Sequence, residues 1–537
     1  MSQLLLPTFA LLVAGLAQAQ APVDIGPVPA RPQESTLPAN WQHGVFMEVF
    51  VRAYQDSDGD GIGDLRGLTQ RLDYLKRLGI SGLWLMPITA SSDHDHGYAT
   101  TRHRDIEPQY GTLADFDDLI REAHKRGIGV VMDYVINHAS WQFPPFQQAV
   151  ADRTSPWRRW FVWNPEPGPG WDIWGKYPWY DAATQPWTFR GDWKALPPPR
   201  PGAPDVYFGT FGPDMPDFNL RNPEVVRYHE DSLRFWLNRG LDGYRLDAVP
   251  HLIENSAQDW NDQPESRALT RHFKELIKGY PGRYVVCEAT AEPIAYGDPA
   301  LCGGAFAFNQ NYELMKAAKG DAAAVQTLAD YYRSMSPTMA TFLHNHDIFT
   351  GPRVWDQLHG DEARYRLAAA SYLLLPGTPF VYYGEEIGQA GIDGQADEPL
   401  RAPMSWTPGN PGSGGFSTAA RPFRPLSPNR SRHNAASQQR DPGSLFNFYR
   451  ELIALRRASP ALTLGRYEAD QVDGRLWRFQ RVHGDERVLV VINYGDTPAA
   501  IDVPAGAQTL HPRNTRATQG RTTLPPLSLR VYRLAPR

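Results

Sequence analysis

From Trp41 to about Ala454, short apolar runs alternate with amphipathic stretches, and the two periods predict strands and helices in turn. GVFMEVFV (44–51) reads as a strand, and Leu65, Leu68, Leu72, Leu75 and Leu78 follow at helical spacing. ISGLWLM (80–86) is a second strand; a helix over Leu113–Lys125 leads into a third, GIGVVMDYV (127–135). Further strand-like runs are DGYRLDA (242–248), RYVVCEA (283–289), ATFLH (340–344) and PFVYYGEE (379–386). Near-continuous apolar strands separated by helices argue for a parallel α/β sheet covered on both faces. About eight such strands within roughly 400 residues favour a (β/α)8 TIM barrel, with an open doubly wound sheet as the alternative. The barrel is expected over residues 41–138 and 208–460.

The alternation stops over residues 139–207, where Trp, Pro and Gly dominate and nine of the sixteen Trp lie. An inserted domain after strand 3 would overhang the C-terminal mouth of the barrel, where active sites of this fold sit. A small Trp-packed subdomain with no ligand role is the other reading. Beyond the helix SLFNFYRELIALRR (444–457) the period changes to two. LWRFQRV (476–482), a turn at His483-Gly484-Asp485 and RVLVVINY (487–494) predict a hairpin, and residues 461–537 a C-terminal antiparallel β-sandwich domain.

The first residues carry an apolar run from Leu4 to Leu16 and then Ala17-Gln18-Ala19, which predicts a signal peptide over residues 1–19 and a secreted or periplasmic protein. A disordered or membrane-anchoring N-terminus is the alternative. Residues 20–40, with five Pro, read as a leader or linker. The 54 basic and 59 acidic residues nearly cancel, at net −5, so neither a nucleic-acid backbone nor an anionic membrane is expected as a partner, and the mature chain is expected to be a soluble monomer. Cys287 and Cys302 could pair in an oxidising compartment or remain two buried thiols.

Barrel chemistry is built just past the C-terminal ends of the strands. There the third strand ends in DYVINH (133–138), the fourth in Arg245-Leu246-Asp247 with His251 beyond, the fifth in Glu288 and the seventh in Asn345-His346-Asp347. Asp247, Glu288 and Asp347 should converge on one mouth. Two carboxyl groups flanking a bond, one ionised and one protonated, are the minimum for glycoside cleavage. Arg245 would hold Asp247 ionised, while the apolar run before Glu288 would raise its pKa. A salt bridge or helix cap explains any one of these acids alone, but less readily all three at strand ends.

These residues resemble glycoside hydrolase family 13, the α-amylase family. DYVINH (133–138), GYRLDAVPH (243–251), Glu288 in CEAT and FLHNHD (342–347) stand in the order of the family's four motif regions, and MPDFN (215–219) resembles a further one. The resemblance implies Asp247 as nucleophile, Glu288 as general acid/base and Asp347 as the carboxylate that distorts the reacting sugar. It also implies that Arg245 supports the nucleophile, that His138 and His346 bond glucose hydroxyls, and that Tyr98 stacks on that glucose. The stretch from Ala99 to His103 departs from the family's usual residues there. Asp95 and Arg401 resemble a pair that closes the pocket floor in members cleaving glucose from chain ends, which favours exo action over an open endo cleft.

Asp56, Asp58, Asp60 and Asp64, with Ile62 in the same run, alternate with glycines in the way hard oxygen ligands around Ca²⁺ require. The run resembles a calcium loop of several family branches and predicts one structural Ca²⁺; a solvated acidic turn is the alternative. Asn137 matches an inter-domain calcium ligand of many amylases, but its usual partners are missing. The leading functional expectation is a retaining hydrolase of mainly α-1,4 bonds in malto-oligosaccharides or starch, of α-glucosidase or α-amylase type. The alternative is a transglycosylase or a trehalose synthase, which shares the covalent glucosyl intermediate. A non-catalytic carbohydrate-binding homologue should lack a carboxylate, and none is missing. No Gly-rich phosphate loop supports a nucleotide-dependent enzyme.

Overall fold

A computed structural model describes residues 22–189, 193–409, 413–513 and 520–535, so the expected signal peptide at 1–19 lies outside the described residues. Eight parallel strands close into a barrel: β1 (Phe46–Val49), β2 (Gly82–Leu85), β3 (Gly129–Tyr134), β4 (Gly243–Leu246), β5 (Tyr284–Cys287), β6 (Ala305–Phe306), β7 (Met339–Thr341) and β8 (Thr378–Tyr382). Each pairs with its neighbours in sequence, and β8 closes on β1 with Phe46 beside Phe380. The open-sheet alternative is thereby excluded. β6 escapes sequence periodicity because two residues contain no period. Among the described residues no helix is long and apolar enough to cross a membrane.

The pleat explains where the polar groups point. Successive side chains of a strand face opposite ways, so positions two apart share a face. Phe46, Trp84, Val131, Val286, Phe306, Ala340 and Phe380 form one buried cluster inside the barrel. Two residues further along β1, β3 and β5 the same inward face carries Glu48, Asp133 and Glu288; on β4 it carries Arg245 and then Asp247. Each inward row therefore starts apolar or as glycine and ends polar at one mouth. Gly243 begins the β4 row with φ 152°, and a Cβ there would lie 1.9 Å from the carbonyl oxygen of Tyr284, so only glycine admits this approach of β4 to β5.

Several boundaries differ from the sequence expectation. Leu65 to Leu78 forms two helices, Leu65–Gln70 and Leu72–Leu78, interrupted at Arg71, whose guanidinium lies over the Trp406 ring and bonds Gln55. The excursion after β3 does not end at 207. Val206–Phe208 pairs with Trp179–Asp181, and Asp217 and Phe218 still bridge to His138 and Phe161, so the barrel resumes only at the helix Pro223–Asn238. Trp160, Trp179 and Trp187 are core residues of this excursion, whereas Trp174 stands exposed. Cys287 and Cys302 are joined as a disulfide that ties the end of β5 to the turn before β6.

The C-terminal unit is antiparallel. Strands β9 (Arg466–Asp473), β10 (Leu476–His483), β11 (Glu486–Asn493), β12 (Ala499–Val503), β13 (Gln508–His511), β14 (Gly520–Leu524) and β15 (Ser528–Arg533) form a five-stranded sheet ordered β9-β10-β11-β15-β13 and a pair β12-β14. Both faces of the large sheet are covered. Leu476, Leu489 and Val491 pack with Ile501, Val503 and Leu524 of the pair, while Trp477, Phe479, Val490 and Ile492 join the barrel core. Two buried arginines stand at its junction with the barrel, Arg456 on the helix Leu445–Ala458 and Arg481 on β10. Arg456 donates to the carbonyls of Leu373 and Leu375 at 2.8 Å each and to that of Gly377, and Arg481 donates to Leu374 at 2.8 Å and to Gly465. They satisfy carbonyls that the helix Glu362–Leu374 leaves unpaired at its C-terminus. Arg456→Met should strand these buried acceptors at about 1–3 kcal/mol each and lower the main calorimetric unfolding transition by several degrees. An unchanged transition would show that the carbonyls find other donors.

Candidate active site

The inward rows of β3, β4 and β5 bring three carboxyl groups onto one guanidinium. Arg245 lies 2.8 Å from Asp133 and 2.8 Å from Glu288, and also bonds Asp247. Asp133 accepts further hydrogen bonds from Trp84 Nε1 at 3.2 Å and Tyr98 OH at 2.9 Å. The backbone N–H of Ala248, held at φ 47°, donates to Glu288 at 3.0 Å. This strained residue therefore fixes the carboxyl group on the next strand.

Burial dominates the electrostatics. It pushes Glu288 up to about 7 and Asp247 up to about 6, against the opposing pull of Arg245. Arg245 does favour the ionised form of Asp247, as expected, but one cation divided among three carboxyl groups does not fully offset their desolvation. A hydrogen bond between the two groups separates them further, raising Glu288 and lowering Asp247. Asp347 is also raised by burial, with Glu288 and Asp397 adding to it. The arrangement thus supplies one acid that keeps its proton and a neighbour that gives its proton up first.

These groups stand at the bottom of a 640 Å³ cavity whose lining includes Tyr98, His138, Arg245, Asp247, Glu288, Asp347 and Arg401. His346 is buried at its edge, 2.8 Å from Tyr98 OH, 3.2 Å from Asp347 and 2.6 Å from Glu48. Tyr98 stacks on the His346 ring with centroids 5.5 Å apart. Burial lowers His138 to about 3, so it is neutral, and neither ring nitrogen makes a well-directed hydrogen bond to a side chain. A neutral ring lining the cavity can bond a hydroxyl group that enters it. Arg401 crosses the cavity floor, 3.1 Å from Asp95, 3.2 Å from Asp397 and 3.8 Å from Asp347. Two aromatic pairs also line the cavity, Trp174 with Phe211 at 5.7 Å between ring centroids and Phe308 with Phe349 at 5.8 Å. His251 lines the same wall, stacked on Trp260.

The acidic loop lies apart from the cavity. Ligand oxygens of Asp56, Asp58 and Asp64 lie within 4.8 Å of one another, about the span of two oxygens across a cation that binds each at 2.3–2.6 Å. Asp60 and Ile62 fall outside this group: the Asp60 carboxylate instead accepts from Ile62 N at 2.7 Å. Asp56 already accepts from Gly59, Gly61 and Ser417, and Asp64 caps the helix Leu65–Gln70. The three converging carboxylates therefore fit a hard cation, and they also order the turn themselves.

All nine residues expected around the substrate meet at this one place, with Asp95 behind Arg401 rather than on the cavity surface. Sequence reasoning did not assign Glu48 or Asp133, although each is an acid within an apolar strand, a readable sign of a buried functional charge. Arg424 and Asp397, on irregular segments, gave no such sign.

A family model described as the alpha amylase catalytic domain matches residues 48–465. The chain is 34% identical over 489 residues to trehalose synthase/amylase TreS of Mycolicibacterium smegmatis, spanning 80% of this chain and 79% of that one. It is 32% identical over 472 residues to alpha-amylase 3 of Dictyoglomus thermophilum, spanning 84% and 85%. The solved structure of an α-amylase from H. orenii shares the fold at a TM-score of 0.78 and 30% identity, over 92% of this chain and 99% of that one. With the family model spanning the barrel and the motif residues gathered at its mouth, the chain belongs to the α-amylase family, glycoside hydrolase family 13.

Proposed function

We propose that the protein is a retaining enzyme of short α-glucosides that transfers a glucosyl unit from Asp247 to a second sugar, interconverting maltose and trehalose. The observation that carries this reading is the cavity lined by Asp247, Glu288 and Arg401, with Arg401 tied to Asp95 behind it so that this pair would form its floor. Such a floor admits a chain end rather than a chain interior. Asp247 would attack the anomeric carbon while Glu288 protonates the departing glycosidic oxygen, leaving a β-glucosyl ester. Glu288, now a carboxylate, would take the proton of an incoming hydroxyl as that oxygen displaces Asp247, restoring the α-configuration. Asp347, His138 and His346 would hold the sugar hydroxyls, and Tyr98 its face.

Hydrolysis was the first expectation from sequence. The likeness to a trehalose synthase/amylase over 80% of the chain moves transfer ahead of it. The apolar mouth of Trp174, Phe211, Phe308 and Phe349 supports this order, because it offers a departing sugar rings to rest on and little to order water. Exo hydrolysis of malto-oligosaccharides remains the second reading, favoured by the exposure of Trp174 and Phe349, which leaves the mouth open to solvent. Proton NMR of maltose with the enzyme decides between them. Trehalose should accumulate, any free glucose should appear first as the α-anomer, and Asp247→Asn should abolish both. Glucose without trehalose would return the assignment to an exo hydrolase, and early β-glucose would remove the double displacement.

Turnover needs Asp247 ionised and Glu288 protonated, so the pH profile of kcat/KM should be a narrow bell with limbs near the raised values of about 6 and about 7. Stability is linked with a definite sign. Because the folded pKa of Glu288 exceeds its ordinary value of 4.5, this residue costs stability progressively as pH rises from 4.5 to about 7. Glu288→Gln should therefore melt above the parent at pH 8 and lose that advantage near pH 4, which differential scanning calorimetry would show.

We further propose a structural Ca²⁺ held by Asp56, Asp58 and Asp64, where it would neutralise converging carboxylates and supply no group to the reaction. Export and a monomeric state complete the reading, the former supported by the Cys287–Cys302 disulfide. Excess EDTA should lower the melting temperature before it lowers the rate per folded molecule, as for a ligand of the native state alone. An unchanged melting curve together with metal-free purified protein would leave an acidic turn ordered by its own hydrogen bonds.

A further inference from the structure

The cavity floor has a back. Behind Asp95 lies a second pocket of 390 Å³, lined among others by Arg52, His94, Asp95, Asp393, Glu398 and Arg424. Asp95 lines this back pocket, and Arg401 stands between it and the cavity. Asp95 Oδ2 meets Arg401 from the cavity side at 3.1 Å; its Oδ1 meets Arg424 from the back at 3.0 Å. Arg424 also reaches Glu398 at 3.6 Å, and Arg401 reaches Asp397 at 3.2 Å. Arg401, Asp95 and Arg424 thus form a chain of paired side chains between the cavity and the back pocket.

We propose that Arg424 is a positioning residue that limits the cavity to one glucosyl unit, and that its loss joins the cavity to the back pocket so that a second unit can enter. This rests on the reading of the site as one for α-glucosides. Asp95 can remain in line with Arg401 only while its other oxygen is held, because Arg401 also faces Asp397 and Asp347 and is drawn toward whichever carboxylate lies nearest. Arg424 is suited to this hold. It is only 12% exposed, it forms ion pairs with Asp95 at 3.0 Å and Glu398 at 3.6 Å that hold by charge rather than by aligned hydrogen bonds, and its guanidinium lies 5.4 Å from the centroid of Phe423. The back pocket offers carboxylates, guanidinium groups and an imidazole, which suit sugar hydroxyl groups as hydrogen-bond partners. Neither Arg424 nor this pocket touches the carboxyl groups that carry the reaction, so its effect falls on which chain end fits.

The test measures binding and turnover separately. Maltose and maltotetraose are titrated calorimetrically into Glu288→Gln and into Glu288→Gln combined with Arg424→Ala; steady-state constants and products from maltoheptaose are measured without the Glu288 change. Loss of Arg424 should weaken maltose about tenfold, equivalent to about 1.4 kcal/mol, while weakening maltotetraose less. KM for maltose should rise with kcat little changed, and maltose should appear among the units first removed from the non-reducing end of maltoheptaose. Arg424→Lys should restore part of the preference for maltose. If the alanine variant is unfolded by circular dichroism, Arg424→Gln, which keeps the length of the side chain, is judged by the same criteria. Unchanged affinities and products in a folded variant overturn the role of Arg424 alone. A parent that neither binds nor converts these sugars overturns the α-glucoside reading and the proposal with it.

Discussion

One buried guanidinium organises the site. Arg245 faces Asp133, Asp247 and Glu288, all of them largely buried, and a single positive charge does not balance three negative ones there. At least one carboxyl group must keep its proton. Burial raises Glu288 to about 7, above Asp133 and Asp247 at about 6, so Glu288 is the one of the three that holds its proton longest. The acid and its ionisable partner thus follow from charge balance within a closed barrel and need no external proton source to set them apart. The barrel in turn supplies the closure: eight strands place their inward rows on one axis, and Gly243 lets β4 approach β5 closely enough for Arg245 to span both.

Around this fixed centre the variable work falls to loops. The excursion after β3 supplies the pair Trp174 and Phe211 to the cavity lining, and the turns after β6 and β7 supply the pair Phe308 and Phe349. The floor comes from still other segments, with Asp95 after β2 and Arg401 after β8. Strand ends carry the buried carboxyl groups and irregular chain lines the mouth and floor, a division the barrel permits because its packed core is independent of both.

The strands and their polar ends were readable from sequence because a barrel strand combines a short apolar run with a sharp change to polar residues at one end. DYVINH and GYRLDAVPH show that change plainly. β6 lacked it at two residues in length, and its absence from the reading shows the lower limit of period-based inference. Asp95 and Arg401 could be paired from the motif resemblance alone, since no local pattern links positions so far apart. Arg424 had neither a pattern nor a motif. Its place depends on how the chain from Ser413 onward folds back over the first loop, which is set by tertiary contacts such as Phe423 N–H to the Gly61 carbonyl at 3.0 Å. The tandem of Arg456 and Arg481 was hidden for the same reason, because carbonyl acceptors leave no mark in a sequence.

That folding back of the chain has a consequence for how such a protein can change over generations. Residues 416–424 lie against the acidic loop, with Asp56 N–H on the Phe416 carbonyl at 2.9 Å and Ser417 on the Asp56 carboxylate, before reaching Asp95 through Arg424. Gly61 sits at φ 94° with its α-carbon so close to Arg421 that a Cβ would come within 2.8 Å of that carbonyl oxygen. A short stretch outside every barrel strand therefore joins the ordering of the first loop to the depth of the cavity. On the role proposed for Arg424, insertions, deletions or substitutions in that stretch would offer natural variation a route to a deeper or shallower cavity while Asp247, Glu288 and Asp347 stay as they are.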